Sequence, residues 1–152
     1  MKLTKDIKVP LLDIPSSYKE ILEDVENKIT AVIQSGQFIL GPIVEELEQQ
    51  IADYCNSNYA VGVSSGTDAL LISLMAAGIG EGDEVITTPF TFFATAGSIT
   101  RLGAKPVFVD IERESFNINP NQIEKKITEK TRAIIPVHLY GQSANMDSVL
   151  EL

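Results

Sequence analysis

From residue 59 onward, short runs rich in valine and isoleucine alternate with stretches of helical hydrophobic spacing. This alternation constrains the fold more than any other feature, because strands joined by helical crossovers form a parallel sheet. The runs are continuously apolar, which is typical of strands buried on both faces. We therefore predict an α/β fold of three layers, α/β/α, with a mostly parallel sheet. The predicted strands span 59–63, 84–88, 105–110 and 131–137, and the predicted helices 66–78, 90–102 and 119–128.

The first 58 residues follow a different pattern, which predicts two amphipathic helices. Apolar residues recur at spacings of three and four over residues 16–35 and again over residues 42–55. Cys55 lies at the end of the second helix and has no basic neighbour in sequence, so we expect a packed thiol there. We assign residues 1–58 to an N-terminal arm with helices, and residues 59–152 to the first part of an α/β domain.

The composition excludes several classes of protein. The chain has 12 Lys and Arg against 21 Asp and Glu, a net charge of −9, which argues against a partner that carries a phosphate backbone. A hydrophobic content of 44% argues against disorder. The chain has one cysteine and no signal-like N-terminus, which favours the cytoplasm. No apolar run approaches the ~20 residues of a membrane span, so we expect no membrane partner. No Cys or His pair has metal-ligand spacing, so we predict no metal site.

A Ser-Ser-Gly-Thr turn, residues 64–67, separates the first predicted strand from its helix. Free backbone N–H groups at the start of a helix can bind a phosphate, and small residues leave room for it. Thr67 would add a hydroxyl donor. Serine and threonine also cap helices for structural reasons, so both interpretations remain open from these residues alone. The turn lacks the glycine and lysine patterns of ATP and dinucleotide sites, which weakens the case for either.

Three phenylalanines follow the predicted strand 84–88: Phe90, Phe92 and Phe93. Ligands of parallel sheets bind beyond the carboxyl ends of the strands, so an aromatic face there could lie against a planar cofactor ring. Packing of the next helix on the sheet is the alternative, and these residues alone favour it.

Two polar residues also follow predicted strands, Asp110 and His138. Asp110 could face the same crevice or begin a turn. His138 could act as a base, but no carboxylate close in sequence would orient it, so a role in supporting other residues is favoured.

Six segments occur in the order found in the DegT/DnrJ/EryC1/StrS family of sugar aminotransferases, which the sequence resembles. They are residues 36–42, 65–70, 82–86, 89–95, 103–110 and 136–141. The resemblance implies the N-terminal part of the large domain of a fold type I enzyme that uses pyridoxal 5'-phosphate. It implies that Gly66 and Thr67, with Asp68 close by, hold the cofactor phosphate. It also implies that Phe92 stacks on the pyridine ring.

The same resemblance implies an activity for the parent protein. Members of this family transfer an amino group to a keto sugar attached to a nucleotide. Glutamate is the expected donor, and a homodimer is the expected assembly. In that family, the Schiff-base lysine and the acid beside the pyridine nitrogen lie downstream of the Tyr-Gly motif, which is Tyr140-Gly141 in this sequence. We expect both beyond Leu152, so this chain would hold no catalytic residue and would be an inactive N-terminal fragment.

Two other interpretations are kept. The chain could be a non-catalytic truncated remnant or an interaction module, which the intact mass of the natively expressed protein would distinguish. It could also be a Rossmann-like nucleotide-binding domain, which would respond to NAD and not to pyridoxal phosphate.

Overall fold

The computed structural model describes residues 11–152, which form two compact units. We call residues 11–62 the helical unit and residues 63–152 the sheet unit. The predicted domain boundary at residue 59 stays a prediction. Within residues 11–152, no helix is both long enough and apolar enough to cross a membrane.

The helical unit contains α1 (Ile14–Ser17), α2 (Leu22–Ser35) and α3 (Pro42–Tyr54). The prediction of a helix over 42–55 is confirmed, and it starts at a proline whose missing N–H costs nothing there. The prediction over 16–35 is wrong at its start. A separate turn of helix, α1, precedes α2 because Asp13 caps it, accepting a hydrogen bond from the Ser16 N–H.

Gly36 ends α2 in the left-handed conformation, with φ of 68°, and its N–H bonds the carbonyl of Val32. Glycine adopts this conformation without the steric cost that a Cβ brings. Cys55 follows α3 and is exposed, so the expectation of a packed thiol is wrong. Its position just beyond the last helical turn removes it from the apolar stripe that the spacing suggested.

The sheet unit holds a three-stranded sheet in the order β2-β1-β3, with both pairings parallel. The strands are β1 (Glu84–Thr87), β2 (Lys105–Phe108) and β3 (Thr131–Ile134). The four helices of this unit are α4 (Gly66–Ala76), α5 (Ala94–Arg101), α6 (Pro120–Ile123) and α7 (Met146–Leu150). All four residues of the central strand are buried.

Two apolar clusters cover the two faces of this sheet. Successive side chains of a strand point to opposite faces, so Val85 and Ile86 belong to different clusters. Val85 packs with Leu74 of α4 and Ile99 of α5. Ile86 packs with residues of α6, of α7, of the segment after β2 and of the loop before α7: Val109, Ile118, Ile123, Ala144 and Val149. The predicted three-layer α/β/α class is confirmed.

Glu84 joins the amino ends of the three strands. Its carboxylate lies 2.8 Å from Lys105 Nζ at the start of β2 and accepts a 2.7 Å hydrogen bond from Thr128 Oγ1, just before β3. The Lys105 contact, and then the Thr128 contact, hold the pKa of Glu84 below its ordinary value. The carboxylate is therefore ionised at neutral pH and ties the strands together at this end.

The prediction of a strand over 59–63 is wrong. A strand requires a neighbour to bond its backbone N–H and C=O groups, and no strand of the described chain pairs with these residues. The N–H of Gly62 instead donates to Glu48 Oε1 of α3, at 2.6 Å. The side chains of Tyr59 and Val61 are exposed.

The predicted helices of the sheet unit are all longer than the observed ones. The largest difference concerns 90–102, because α5 begins at Ala94 and residues 90–93 form a loop. The phenylalanines therefore precede the helix. The predicted helix 119–128 is one turn, α6, followed by a turn of 3-10 helix.

Candidate functional site

The turn that begins α4 is held by a network of three short side chains. Ser65, in extended conformation, is the N-cap, and its Oγ accepts a hydrogen bond from the backbone N–H of Asp68 at 3.1 Å. The Asp68 carboxylate accepts hydrogen bonds from Ser65 Oγ at 2.9 Å and Ser64 Oγ at 2.5 Å. This arrangement has the spacing of a capping box, with aspartate in the third helical position, but the Asp68 carboxylate accepts from two serine hydroxyls in place of the N-cap backbone N–H. It fixes the turn without any ligand.

The charge of Asp68 follows from these contacts. The hydroxyl of Ser64, followed by that of Ser65, lowers the pKa of Asp68, and the charge of Arg101 contributes in the same direction, while partial desolvation opposes them. The carboxylate is therefore an anion at neutral pH. Because its two serine partners are donors, Asp68 acts on the turn as an acceptor.

Replacing Asp68 with asparagine is expected to change how stability depends on pH. A carboxyl whose folded pKa is depressed stabilises the fold above its unfolded pKa, and this contribution is lost as pH falls through the folded pKa. The stability difference between the parent chain and Asp68→Asn should therefore shrink below about pH 4. Thermal unfolding followed by circular dichroism at several pH values measures it. Asp147→Asn, in the first turn of α7, is the control. A difference that stays constant down to about pH 2 would contradict the expectation.

Two backbone N–H groups at the start of α4 are free to bind an anion. Within residues 11–152, no acceptor bonds the N–H of Gly66 or of Thr67, the first two helical positions. No other atom lies within 4 Å of the place where a Cβ of Gly66 would stand, so the approach is open. Free N–H groups and the helix dipole together attract a phosphate. The donor set at this turn fits the phosphate of the expected cofactor.

The loop after β1 presents two aromatic rings that differ in their contacts. The side chains of Phe92 and Phe93 are 77% and 82% exposed. The Phe93 ring lies over Gly97 of α5, where an added Cβ would come within 3.0 Å of its Cε1. A hydrogen bond between the hydroxyls of Thr91 and Thr95, 2.9 Å long, joins the loop to the same helix.

Thr67 and Phe92 line one cavity of about 260 Å³. Its other walls come from α4, α5 and the residues before α5, including Ser98 and Arg101. Ser98 Oγ lies 3.5 Å from the carbonyl oxygen of Thr67, which joins α5 to the start of α4. The structure thus brings together residues 64–67, which we call the phosphate turn after the role expected of them, and residues 90–93, which we call the aromatic loop. The sequence had indicated each of them separately.

The other candidate residues lie apart from this cavity. Asp110 Oδ1 accepts a hydrogen bond from its neighbour, the Ile111 N–H, at 2.8 Å, and Asp110 lines a separate cavity with residues 111–114, Phe116, Asn119 and Gln122. His138 Nδ1 accepts the N–H of Ala144 at 3.0 Å, a contact that fits the predicted supporting role. Its Nε2 is therefore the nitrogen that carries the proton in the neutral ring.

A second cavity, of about 340 Å³, adjoins the same loop. It is lined by residues 89–92 after β1 and by Leu139 and Tyr140 after β3. Phe92 is common to both cavities. Leu139 and Tyr140 belong to the segment 136–141 that carries the family resemblance, but no role at the site was predicted for either. Their position past the end of a predicted strand was the signal that could have identified them.

Known proteins match this chain over most of its length. The model of the DegT/DnrJ/EryC1/StrS aminotransferase family matches residues 19–152. A pleiotropic regulatory protein of Geobacillus stearothermophilus is 54% identical over 93% of this chain. The UDP-2-acetamido-2-deoxy-3-oxo-D-glucuronate aminotransferase of Pseudomonas aeruginosa is 45% identical over 93% of it. The chain spans 38% and 39% of the lengths of these two relatives.

Solved structures match as well. NtdA of Bacillus subtilis, with the bound cofactor PMP, superposes with a TM-score of 0.92 at 38% identity, over 99% of this chain and 35% of NtdA. DesV of S. venezuelae, in complex with a ketimine intermediate, gives a TM-score of 0.91 at 43% identity, over 94% of this chain and 38% of DesV. From its sequence and from its fold, the chain belongs to the DegT/DnrJ/EryC1/StrS aminotransferase family.

Proposed function

We propose that the protein carrying this chain is a pyridoxal-phosphate-dependent aminotransferase that moves an amino group from glutamate to a keto sugar linked to a nucleotide. The observation that carries the proposal is the single cavity lined by Thr67 and Phe92, beside two free N–H groups. Relatives whose names specify UDP-linked and dTDP-linked sugars match more than nine tenths of the chain, which supports the substrate class. A cytoplasmic homodimer is part of the proposal.

Each site residue has a proposed part. The N–H groups of Gly66 and Thr67, with the Thr67 hydroxyl, hold the cofactor phosphate, and Phe92 lies against the pyridine ring. Asp68 contributes by fixing Ser64 and Ser65, because its carboxylate is anionic and would repel a phosphate in direct contact. When bound, the cofactor supplies an electron sink for the carbon that carries the amino group.

The lysines of the sheet unit do not lie at this cavity. Lys105 begins β2 and pairs with Glu84, and Lys130 immediately precedes β3. Both therefore lie at the amino ends of parallel strands, whereas Phe92 follows the carboxyl end of β1. Lys125 and Lys126 are in the turn that leads to β3 from the same side. We expect residues 1–152 alone to bind the cofactor without catalysing transamination.

Binding measurements test the phosphate turn. Pyridoxal phosphate should bind residues 1–152 at least about tenfold more tightly than pyridoxal, because only the phosphorylated form uses the free N–H groups. Inorganic phosphate should compete, Thr67→Val should weaken the phosphorylated form selectively, and NAD should not compete. Absorbance titration measures all four. Equal affinity for the two forms, or competition by NAD, would contradict the proposal and favour a nucleotide-binding domain.

Turnover separates the enzyme from a binding module. Isotopically labelled glutamate, pyridoxal phosphate and a UDP-linked or dTDP-linked keto sugar are incubated with the natively expressed protein, and the amino sugar is detected by mass spectrometry. Label should enter the sugar with the native protein and not with residues 1–152 alone. Cofactor-dependent amination by residues 1–152 would contradict the expectation that these residues alone are inactive, whereas no amination by the native protein would contradict the proposed activity.

A further inference from the structure

The buried side chain of Asn117, in the sheet unit, makes hydrogen bonds through both the oxygen and the nitrogen of its amide. It is 1% exposed, and its amide contacts a single loop downstream in the chain. The Oδ1 atom accepts the N–H of Leu139 at 3.0 Å, and Nδ2 donates to the carbonyls of Gln142 and Ser143, each at 3.1 Å. Burial of an amide without hydrogen-bond partners costs free energy. Each partner of the Asn117 amide is a backbone group of this loop. We call residues 138–143 the clamped loop.

The clamped loop has a backbone that requires such support. Tyr140 and Gly141 are consecutive residues in the left-handed region, with φ of 53° and 85°. Tyrosine rarely adopts this conformation, because its Cβ crowds the following carbonyl. The Tyr140 side chain is exposed and supplies no packing that would compensate. The contacts from Asn117 hold the backbone on either side of these two residues, and the N–H groups of Gly141 and Gln142 close the turn by donating to the carbonyls of His138 and Leu139.

Asn117 is itself held firmly in place. Its carbonyl accepts the N–H of Glu112 at 2.9 Å, and its N–H donates to Ser115 Oγ at 3.2 Å. The neighbouring Ile118 is fully buried in the cluster around Ile86. The clamp is thus anchored to the core of the sheet unit.

The clamped loop forms one wall of the cavity beside Phe92. Leu139 and Tyr140 face residues 89–92 across this cavity of about 340 Å³. The two segments meet because β1 and β3 are paired in parallel and both segments follow carboxyl ends. A change in the loop would alter what lies beside the Phe92 ring without changing the phosphate turn, which belongs to α4.

We propose that Asn117 is a positioning residue, which fixes Leu139 and Tyr140 against the loop after β1 and so sets the space available beside the Phe92 ring. That this space receives the ring of the cofactor or of its substrate rests on the function proposed above. The occupant is a planar or ring-shaped ligand, since the walls are mostly aromatic and apolar.

The experiment compares three variants of the chain. Asn117→Ala removes the clamp. Gly141→Ala strains the loop backbone without touching Asn117. An added Cβ would meet no side chain, but the backbone φ of this residue is unfavourable for alanine. Asn121→Ala, at an exposed asparagine of α6, is the matched control. Hydrogen exchange by mass spectrometry should show residues 138–143 exchanging at least about tenfold faster in the first two variants, with β1 unchanged.

Affinity for the cofactor distinguishes the positioning role of Asn117 from a purely structural one, which would leave that affinity unchanged. Asn117→Ala and Gly141→Ala should both weaken pyridoxal phosphate and pyridoxal by the same factor, about three- to tenfold, because the ring site changes and the phosphate turn does not. Unchanged exchange of residues 138–143 in Asn117→Ala would overturn the proposal. So would pyridoxal phosphate affinities equal to that of Asn121→Ala, or a selective loss of the phosphorylated form.

The two proposals fail in different ways. If no form of the chain binds pyridoxal phosphate, the proposed function fails, and the exchange of residues 138–143 still decides whether Asn117 positions the loop. If Asn117→Ala loses its fold, Gly141→Ala carries the test, because Gly141 is exposed and has no core contact.

Discussion

Ile86→Ala is expected to lower the free energy of unfolding by about 2–5 kcal/mol, the largest stability effect of any substitution considered for this chain. Ile86 lies in the middle of the central strand, is 0% exposed and contacts apolar residues of two helices and the segment after β2. Truncation removes three carbon atoms from the close-packed core and leaves a cavity. The strand is held by its two neighbours, so it cannot move to fill that cavity. Urea unfolding, with an unchanged denaturant slope, measures the loss.

A matched substitution checks that the effect comes from burial. Ile72 of α4 is half-exposed, so Ile72→Ala should cost less than about 1 kcal/mol. If Ile86→Ala leaves too little folded protein to measure, Ile86→Val replaces it, with an expected loss of about 0.5–1.5 kcal/mol. Equal losses for Ile72→Ala and Ile86→Ala would show that the core is not where the sheet unit places it.

Phe92→Ala is expected to weaken the binding of pyridoxal phosphate by about tenfold to a hundredfold. Stacking of an aromatic side chain on a nucleobase, another planar heterocycle, contributes about 1–3 kcal/mol by alanine substitution, and the expected loss of affinity corresponds to about 1.4–2.8 kcal/mol within it. Pyridoxal should lose affinity by the same factor, because the ring contact is common to both molecules. Absorbance titration of the two ligands measures the change.

The neighbouring phenylalanine provides the control. Phe93 is equally exposed and lines the same cavity, but its ring packs over Gly97 of α5. Phe93→Ala should therefore change affinity less than about threefold. Equal losses for the two variants would mean that the aromatic loop excludes water without selecting one ring as the stacking partner.

The strands of the sheet unit were the part of the fold that sequence predicted best. Each of the three observed strands lies inside a predicted one, because a continuously apolar run is needed wherever both faces of a strand are covered. Residues 59–63 have the same pattern and form no strand. Pairing is a property of two segments, and a pattern in one segment does not say whether a partner is present.

The candidate site was predicted unevenly, for reasons that the structure makes plain. Ser65 and Asp68 lie three positions apart, so their capping box could have been read directly from the spacing. The different surroundings of Phe92 and Phe93 could not, since both follow the same strand. Asn117 was missed because its partners lie 22 to 26 residues away and are backbone groups, which have no side-chain identity for a sequence to record.

The position of Glu84 at the amino ends of the strands has a consequence for how this fold can change. Glu84, Lys105 and Thr128 tie the strands together at one end of the sheet, while the phosphate turn, the aromatic loop and the clamped loop lie at or beyond the other. The strand ties and the loops of the proposed site therefore use different residues. Under the proposed function, a change of sequence in the loops at the carboxyl end would alter the ligand site while the strand ties remain intact. A scaffold divided in this way suits a family whose members aminate many different sugars.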